Sequence, residues 1–534
     1  MTELLSDLIV LAAARAPEAP ALRYRDERIN YGELNHRVQE AAQAFVSLGA
    51  ERADRIAVYL EKRPETVISL FAASSAGAVF VPINPLLRPQ QVRHILTDCN
   101  ARILVTSPGR LAALKDVLGQ CPDLRHIVMV DGVSDGVSDG VSDDVPQGVA
   151  GLDWADLPTG SGAMPYRVID GDMAAIIYTS GSTGLPKGVV LSHRNLVAGA
   201  RSVSTYLENT SDDRILSVLP LSFDAGLSQL TTSFHVGAEV VLMNFLLPRD
   251  VANMAGKYRI TGIAGVPPLW HQLAGLDWPA DAKASMRYFS NTGGHMPKTT
   301  LDRLRAALPD ASPYLMYGLT EAFRSTYLPP SEIDHRPDSM GKAIPNAEIL
   351  VVDGNGQPCP PGQPGELVHR GALVALGYWN DPERTSERFK PAPGQNPALP
   401  ITEMAVWSGD TVRQDEDGFF YFVGRTDDMI KTSGYRVSPT EIEEVVSATG
   451  LVNEVIAVGV PDEALGQAIV VVATPPAGGA IDAEQVIGRC RESLPHFMVP
   501  HHVVTRSSLP RNPNGKIDRL RVAKELQLDR QEVS

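Results

Sequence analysis

Residues 178–193 read Tyr178-Thr179-Ser180-Gly181-Ser182-Thr183-Gly184-Leu185-Pro186-Lys187-Gly188-Val189-Val190-Leu191-Ser192-His193. Glycines let a backbone approach a ligand closely and turn its N–H groups toward it. The hydroxyls of Thr179, Ser180, Ser182 and Thr183 and the ammonium of Lys187 add donors for phosphate oxygens. The apolar runs Met173–Ile177 before and Val189–Leu191 after predict a strand, a polar loop and a second strand. The chemistry such a loop suits is polyphosphate binding. It is not a Walker A loop: that pattern requires Gly-Lys at Pro186, counted from Gly181, or at Val189, counted from Gly184. Composition alone fits a Gly/Ser turn that binds nothing equally well.

Further short motifs follow in a fixed order. Pro82-Ile83-Asn84-Pro85 precedes the loop. After it come Tyr317-Gly318-Leu319-Thr320-Glu321, Gly365-Glu366-Leu367, Gly377-Tyr378-Trp379 and Ser408-Gly409-Asp410-Thr411. Then follow Gly424-Arg425-Thr426-Asp427-Asp428-Met429-Ile430-Lys431, Ser433-Gly434-Tyr435-Arg436-Val437, Leu494-Pro495-His496-Phe497-Met498-Val499-Pro500 and Pro510-Arg511-Asn512-Pro513-Asn514-Gly515-Lys516. Each is weak alone. As an ordered set over almost the whole chain they resemble the AMP-forming adenylating enzymes: acyl-CoA synthetases, luciferases and nonribosomal peptide synthetase adenylation domains. The overall wording also resembles acyl-CoA ligases encoded with bacterial exosortase systems.

The resemblance implies a two-step reaction using ATP, Mg²⁺ and a thiol, either coenzyme A or a carrier-protein phosphopantetheine. A carboxylate attacks the α-phosphate of ATP, pyrophosphate leaves, and the thiol opens the acyl-adenylate. An anion then meets a polyanion, so the transition state needs cations and donors. Lys516 is implied as the lysine bridging the carboxylate and the α-phosphate. Glu321 would hold Mg²⁺, which takes hard oxygen ligands, and Thr320 would donate to the α-phosphate. Thr179 to Gly184 and Lys187 would take the phosphates, with Lys187 on the departing pyrophosphate. Asp410 and Arg425 would hold the ribose, Tyr317 would stack on adenine beside Gly318, and Gly293 and Gly294 would make room for it. Arg436 is assigned to the nucleotide site, and the Gly434 loop to the thiol tunnel. Asp427 matches the hinge, with Asp428 one residue beyond.

Substrate identity is less defined. Phe223 and Asp224, in Ser222-Phe223-Asp224-Ala225-Gly226, match the segment lining the acyl pocket, joined by Asn291 and Arg324. In the amino-acid-activating branch an aspartate here pairs with the substrate ammonium. A buried carboxylate needs a cation or donors. Asp224 therefore faces either a substrate amine or Arg324, in which case the substrate is a plain carboxylic acid.

The elements that must position these residues read as α/β. Strand-like runs at Arg55–Leu60, Ala101–Thr106 and His126–Val130 alternate with helix-like ones. The expected plan is a large multi-subdomain N-terminal α/β domain over 1–424, a hinge at 425–427, and a small α+β lid over 428–534. The N-terminal run Leu4 to Arg15 lacks a basic start and carries Glu3 and Asp7. It reads as an amphipathic helix with Leu4, Leu5, Leu8 and Leu11 on one face, not as a signal peptide. Asp131-Gly132-Val133-Ser134 recurs at 135–138 and nearly again at 139–142, which reads as an expanded surface loop.

The chain has 534 residues, 43% apolar and 21% charged, with a formal net charge of −15. That charge disfavours nucleic acid and anionic membranes as partners. Cys99, Cys121, Cys359 and Cys490 are far apart, which fits reduced thiols in a cytoplasmic protein better than zinc or disulfides. No apolar run approaches ~20 residues, so no transmembrane span is expected. The functions left open are an acid–CoA ligase, a stand-alone amino-acid ligase loading a carrier protein, and a non-catalytic binder on the same fold. Retention of Lys516, Glu321 and Asp410 together counts against the last.

Overall fold

The computed structural model describes residues 3–132, 144–160, 164–179, 186–425, 429–476, 479–510 and 517–531, with backbone only for Arg425 and 528–531. Residues 133–142 of the repeat, the phosphate-loop residues Ser180 to Gly184, Asp427 and Lys516 lie outside them.

Two mainly parallel sheets form the large domain. In one, Arg55–Val58, Val79–Pro82, Ala101–Thr106 and His126–Met129 run parallel, and Met173–Thr179 joins beside Val79–Pro82. In the other, Arg214–Ser217, Glu239–Leu242, Gly262–Gly265, Tyr288–Asn291 and Ser312–Tyr317 run parallel. These strands are short, apolar and buried on both faces, as parallel strands covered by helices must be. The helices Pro64–Ser75 and Asp224–Val236 are buried nearly all round, because they lie between the two sheets. Gly199, in the helix His193–Tyr206, is required by this packing: a Cβ there would stand 2.5 Å from the Phe323 ring.

The N-terminal run forms the helix Asp7–Arg15 as expected, though the inward face differs from the leucine count. Leu5, Leu8, Ile9 and Ala12 are buried, while Leu4 and Leu11 are only partly so. The Leu5 backbone N–H donates to His193 Nδ1 at 3.1 Å, tying this segment to the helix His193–Tyr206.

An antiparallel sheet of Ala347–Val352, Gly365–Gly371, Met404–Gln414 and Phe420–Arg425 follows. Sheet membership then changes. Ile430–Thr432 pairs with Tyr435–Val437 and belongs to a smaller C-terminal sheet centred on Gly466–Thr474. The fold is therefore a large N-terminal α/β domain with a smaller C-terminal domain. Ile469, Val471 and Ala473 face one side of the small sheet, with Val437, Ile442 and, from the large domain, Leu87. Val470 and Val472 face the other side, with Leu509, Ile517 and Val522.

The two domains meet at the first of these faces. Arg88 donates to the carbonyls of Arg491 (3.0 Å) and Leu494 (3.4 Å), and Gln91 Nε2 donates to Glu441 Oε1 at 2.7 Å. Burial pushes the Glu441 carboxyl up to about 7, against the hydrogen bond from Gln91. To the extent that the large domain supplies that burial, docking is proton-linked: the contact is strongest below the ordinary glutamate range and weakens as pH rises through about 7. Fluorescence transfer between labels on the two domains should therefore report less docking at alkaline than at acid pH. Glu441→Gln should flatten that dependence; an unchanged slope in the variant would assign it elsewhere.

Candidate active site

The parallel strands of the second sheet end on one rim, and ligands of open α/β sheets bind outside the carboxyl ends of such strands. Four loops leave from that rim. Gly262–Gly265 leads to Val266-Pro267, Tyr288–Asn291 to Thr292-Gly293-Gly294, Ser312–Tyr317 to Gly318-Leu319-Thr320-Glu321, and Arg214–Ser217 to Phe223-Asp224. Two cavities open there. One of about 190 Å³ is lined by Thr179, Phe223, Asp224, Thr320, Glu321 and Arg324. Another of about 730 Å³ is lined by Asn291, Gly294 and Tyr317. Gly293, Gly318 and, from the small domain, Lys431 and Gly434 line both.

Glu321 is the electrostatic centre. It sits in the short 3₁₀ turn Thr320–Ala322 and is 5% exposed. Lys187 Nζ lies 3.0 Å from its Oε1 and also reaches the Tyr378 hydroxyl at 2.5 Å; that hydroxyl donates to Oε1 at 2.6 Å. Burial alone would raise the Glu321 pKa. The Lys187 ammonium and the Arg436 guanidinium, with the Tyr378 hydrogen bond, outweigh it and hold the carboxyl well below the usual range. Burial and the adjacent carboxylate push the Tyr378 phenol up, so it stays a neutral donor. The Thr179 hydroxyl, at the strand end entering the phosphate loop, is buried without a partner among the described residues. An acceptor brought in by a ligand would match it.

The Tyr317 hydroxyl donates to Asp410 Oδ2 at 2.5 Å, so these two residues form one wall; Asp410 is 2% exposed. Arg425 is the cross-strand neighbour of Asp410 in backbone register. Asn291 Nδ2 donates to the Gly294 carbonyl at 2.8 Å, which fixes the glycine turn. Asp224 Oδ2 is 3.5 Å from Arg324 Nη1, and burial outweighs that guanidinium to raise the Asp224 pKa. The Phe223 ring meets Tyr435 of the small domain edge-on at 5.1 Å. Gly434, at φ +80°, has room only for hydrogen: a Cβ would stand 2.6 Å from Val266 Cγ2. The Gly434 loop thus lies against the large domain at the mouth of both cavities.

A family model described as AMP-binding enzyme matches residues 10–379, and one described as AMP-binding enzyme C-terminal domain matches 441–516. The chain belongs to the AMP-binding enzyme family. Its relatives in this family include a linear gramicidin synthase of Brevibacillus parabrevis, 30% identical over 95% of this chain, which spans only 6% of that protein's length. A long-chain-fatty-acid–CoA ligase of Escherichia coli is 30% identical over 96% of this chain and 93% of its own. An L-proline–[L-prolyl-carrier protein] ligase of Pseudomonas fluorescens is 30% identical over 98% of this chain and 100% of its own. Among solved structures, an amide bond synthetase from Marinactinospora thermotolerans shares the fold, with a TM-score of 0.82 and 23% identity over 98% of this chain and 99% of that one. These matches make this chain an adenylate-forming ligase family member with the large and small domains of that fold.

Two residues of this family member's site are marked by no role in the sequence. Tyr378 stands in a motif the sequence displays, yet nothing local signals that it reaches Glu321 across 57 positions. Lys62 is buried, and its Nζ donates to the carbonyls of Ser217 (3.0 Å), Val218 (2.5 Å) and Leu219 (3.2 Å), fixing the chain that leads to Phe223 and Asp224. A lone lysine predicts a solvated surface position. Among the described residues no helix is long and apolar enough to cross a membrane.

Proposed function

We propose that this protein is an AMP-forming acid–thiol ligase that activates a carboxylic acid with ATP and passes the acyl group to coenzyme A. The observation carrying the reading is the Lys187–Glu321–Tyr378 cluster on the same cavity as the unpartnered Thr179 hydroxyl, where the first sheet's Thr179, Lys187 and Tyr378 meet Glu321 from the carboxyl rim of the second. The donor set fits Mg²⁺: one buried, ionised carboxylate of hard oxygens, with substrate phosphates to complete the shell. Among the described residues no group of three or more His, Cys, Asp and Glu gathers as an all-protein cage would need. When bound, the ion would neutralise phosphate charge.

In the first half-reaction a carboxylate oxygen attacks the α-phosphorus and the bond to pyrophosphate breaks. Thr179 and Lys187 hold phosphate oxygens, Thr320 donates to the α-phosphate, and Lys516 approaches both reactants. Asp410 and Tyr317 fix the sugar and base. In the second half-reaction a thiol sulfur attacks the acyl carbon, AMP leaves, and the thiol proton passes to solvent. The Gly434 loop lies at the junction of the two cavities, which suits a thiol arriving through the larger one. The swing between the two arrangements is assigned to 425–427, between the last strand of one sheet and the first of the next.

The carrier-protein reading draws on Asp224 and on the likeness to the prolyl-carrier ligase. The 3.5 Å approach of Arg324 favours the other assignment, in which Asp224 neutralises a protein cation. Asp224→Ala should then leave Arg324 buried without its counter-ion, a penalty of roughly 3–5 kcal/mol, and shift preference toward acids with a second carboxylate. Pyrophosphate exchange rates for matched amino, deaminated and dicarboxylic acids, wild type against variant, check this. A collapse confined to the amino acid would instead assign Asp224 to a substrate ammonium. Thioester formation from preformed acyl-adenylate, with coenzyme A in one arm and a holo-carrier protein in the other, tests the acceptor. Transfer only to the carrier would replace coenzyme A in this proposal.

A further inference from the structure

Ala225 and Arg324 line a second, inner chamber of about 30 Å³ as well as the 190 Å³ cavity. The chamber is bordered by the strands Arg214–Ser217 and Tyr288–Asn291 and the helices His193–Tyr206 and Asp224–Val236. A pocket for a hydrocarbon tail is walled by apolar side chains. This chamber is mixed: Val203, Leu207, Ile215 and Met316 are apolar, and Asn209, Gln229, Ser290 and Arg324 stand among them. Gln229, Ser290 and Arg324 are 5%, 0% and 3% exposed.

Several of their polar atoms have no partner among the described residues. Gln229 Nε2 donates to the Leu216 carbonyl at 3.0 Å, which fixes the orientation of the amide and leaves Oε1 unpaired. Asn209 Nδ2 donates to Asp213 Oδ2 at 3.1 Å and to the Tyr288 hydroxyl at 3.2 Å, which leaves Oδ1 unpaired. Ser290 Oγ and Arg324 Nε are unpaired too. Isolated buried polar atoms without partners are uncommon in folded proteins. Four on residues lining one chamber, mostly acceptors, match an incoming hydrogen-bond donor. The volume suits a small group of one or two heavy atoms, about the space of one or two waters.

We propose that the acid this site activates is short and carries an uncharged hydrogen-bond donor, a hydroxyl, at the end away from the activated carboxyl, and that this group enters the inner chamber. Gln229 and Ser290 are then specificity-determining residues. The inference rests on the adenylating reading above and narrows its substrate class away from long hydrocarbon acids.

The test is acid-dependent pyrophosphate exchange by the full chain with propanoate, butanoate and pentanoate, each against its ω-hydroxy counterpart. A site built to pair a polar group rejects the analogue lacking it. At least one hydroxy acid should exceed its unsubstituted partner in kcat/KM by on the order of tenfold or more. Gln229→Leu should reduce that ratio mainly through KM, and Ser290→Ala, which changes little volume, should reduce it without disturbing the fold. Equal kcat/KM within every pair, unmoved by both variants, would overturn the inference and leave only water in the chamber, with adenylation intact. Exchange confined to long-chain or aromatic acids would also overturn it. Exchange with no acid at all would overturn the adenylating reading and this inference with it.

Discussion

Lys516→Ala is expected to lower acid-dependent adenylate formation by on the order of 10²-fold or more, with ATP binding retained. On the proposed function the lysine would supply charge where the carboxylate oxygen and the α-phosphate approach each other, so its loss would act on the transition state and not on nucleotide affinity. Thioester formation from preformed acyl-adenylate should be far less affected. The reason lies in the packing of the small domain. Leu509 and Ile517, on either side of the segment carrying Lys516, pack on the Val470–Val472 side of the small sheet. The opposite side, with Val437 and Ile442, faces Leu87 of the large domain, and the Gly434 loop is at the cavities. On the proposed function this arrangement fits the second half-reaction, and the first would require the small domain to turn. Single-turnover assays of each half-reaction check the claim; equal losses in both would remove Lys516 from its role.

Asp427→Pro should separate the half-reactions in the other sense. Proline fixes φ near −65° and restricts the residue before it, so a hinge at that position loses the rotation it needs. Adenylate should still form, and thioester formation should fall to background. If the variant completes the full reaction at the wild-type rate, the turn is made elsewhere, and Asp428 is the next position to substitute.

The fold was legible because its signals are local. Apolar runs bounded by turns gave the strands Ala101–Thr106 and Met173–Thr179, and the amphipathic N-terminal helix was readable from spacing. Even there, periodicity counted leucines and missed that Ile9 and Ala12 turn inward. The site was legible in its motifs and illegible in its contacts. Glu321, Lys187 and Asp410 could be named from the strings around them. That Lys187 and Glu321 pair directly, or that Tyr317 bonds Asp410, depends on residues 134 and 93 positions apart meeting at one site. Tyr378, Lys62 and the inner chamber were hidden for the same reason, since a single Gln229 or Ser290 has no sequence pattern that marks it as a wall. The glycine-rich loop, Asp427 and Lys516 lie outside the described residues, so their roles rest on sequence alone.

The central claim is that this chain activates a carboxylic acid as its adenylate. Its most direct test is the exchange of labelled pyrophosphate into ATP, over fatty, aromatic, amino and short hydroxy acids, with wild type and Lys516→Ala side by side. Exchange is expected to require Mg²⁺ and a particular acid, with AMP formed in the full reaction, and to be lost in Lys516→Ala. Exchange absent with every acid, or equal in wild type and variant, would contradict it.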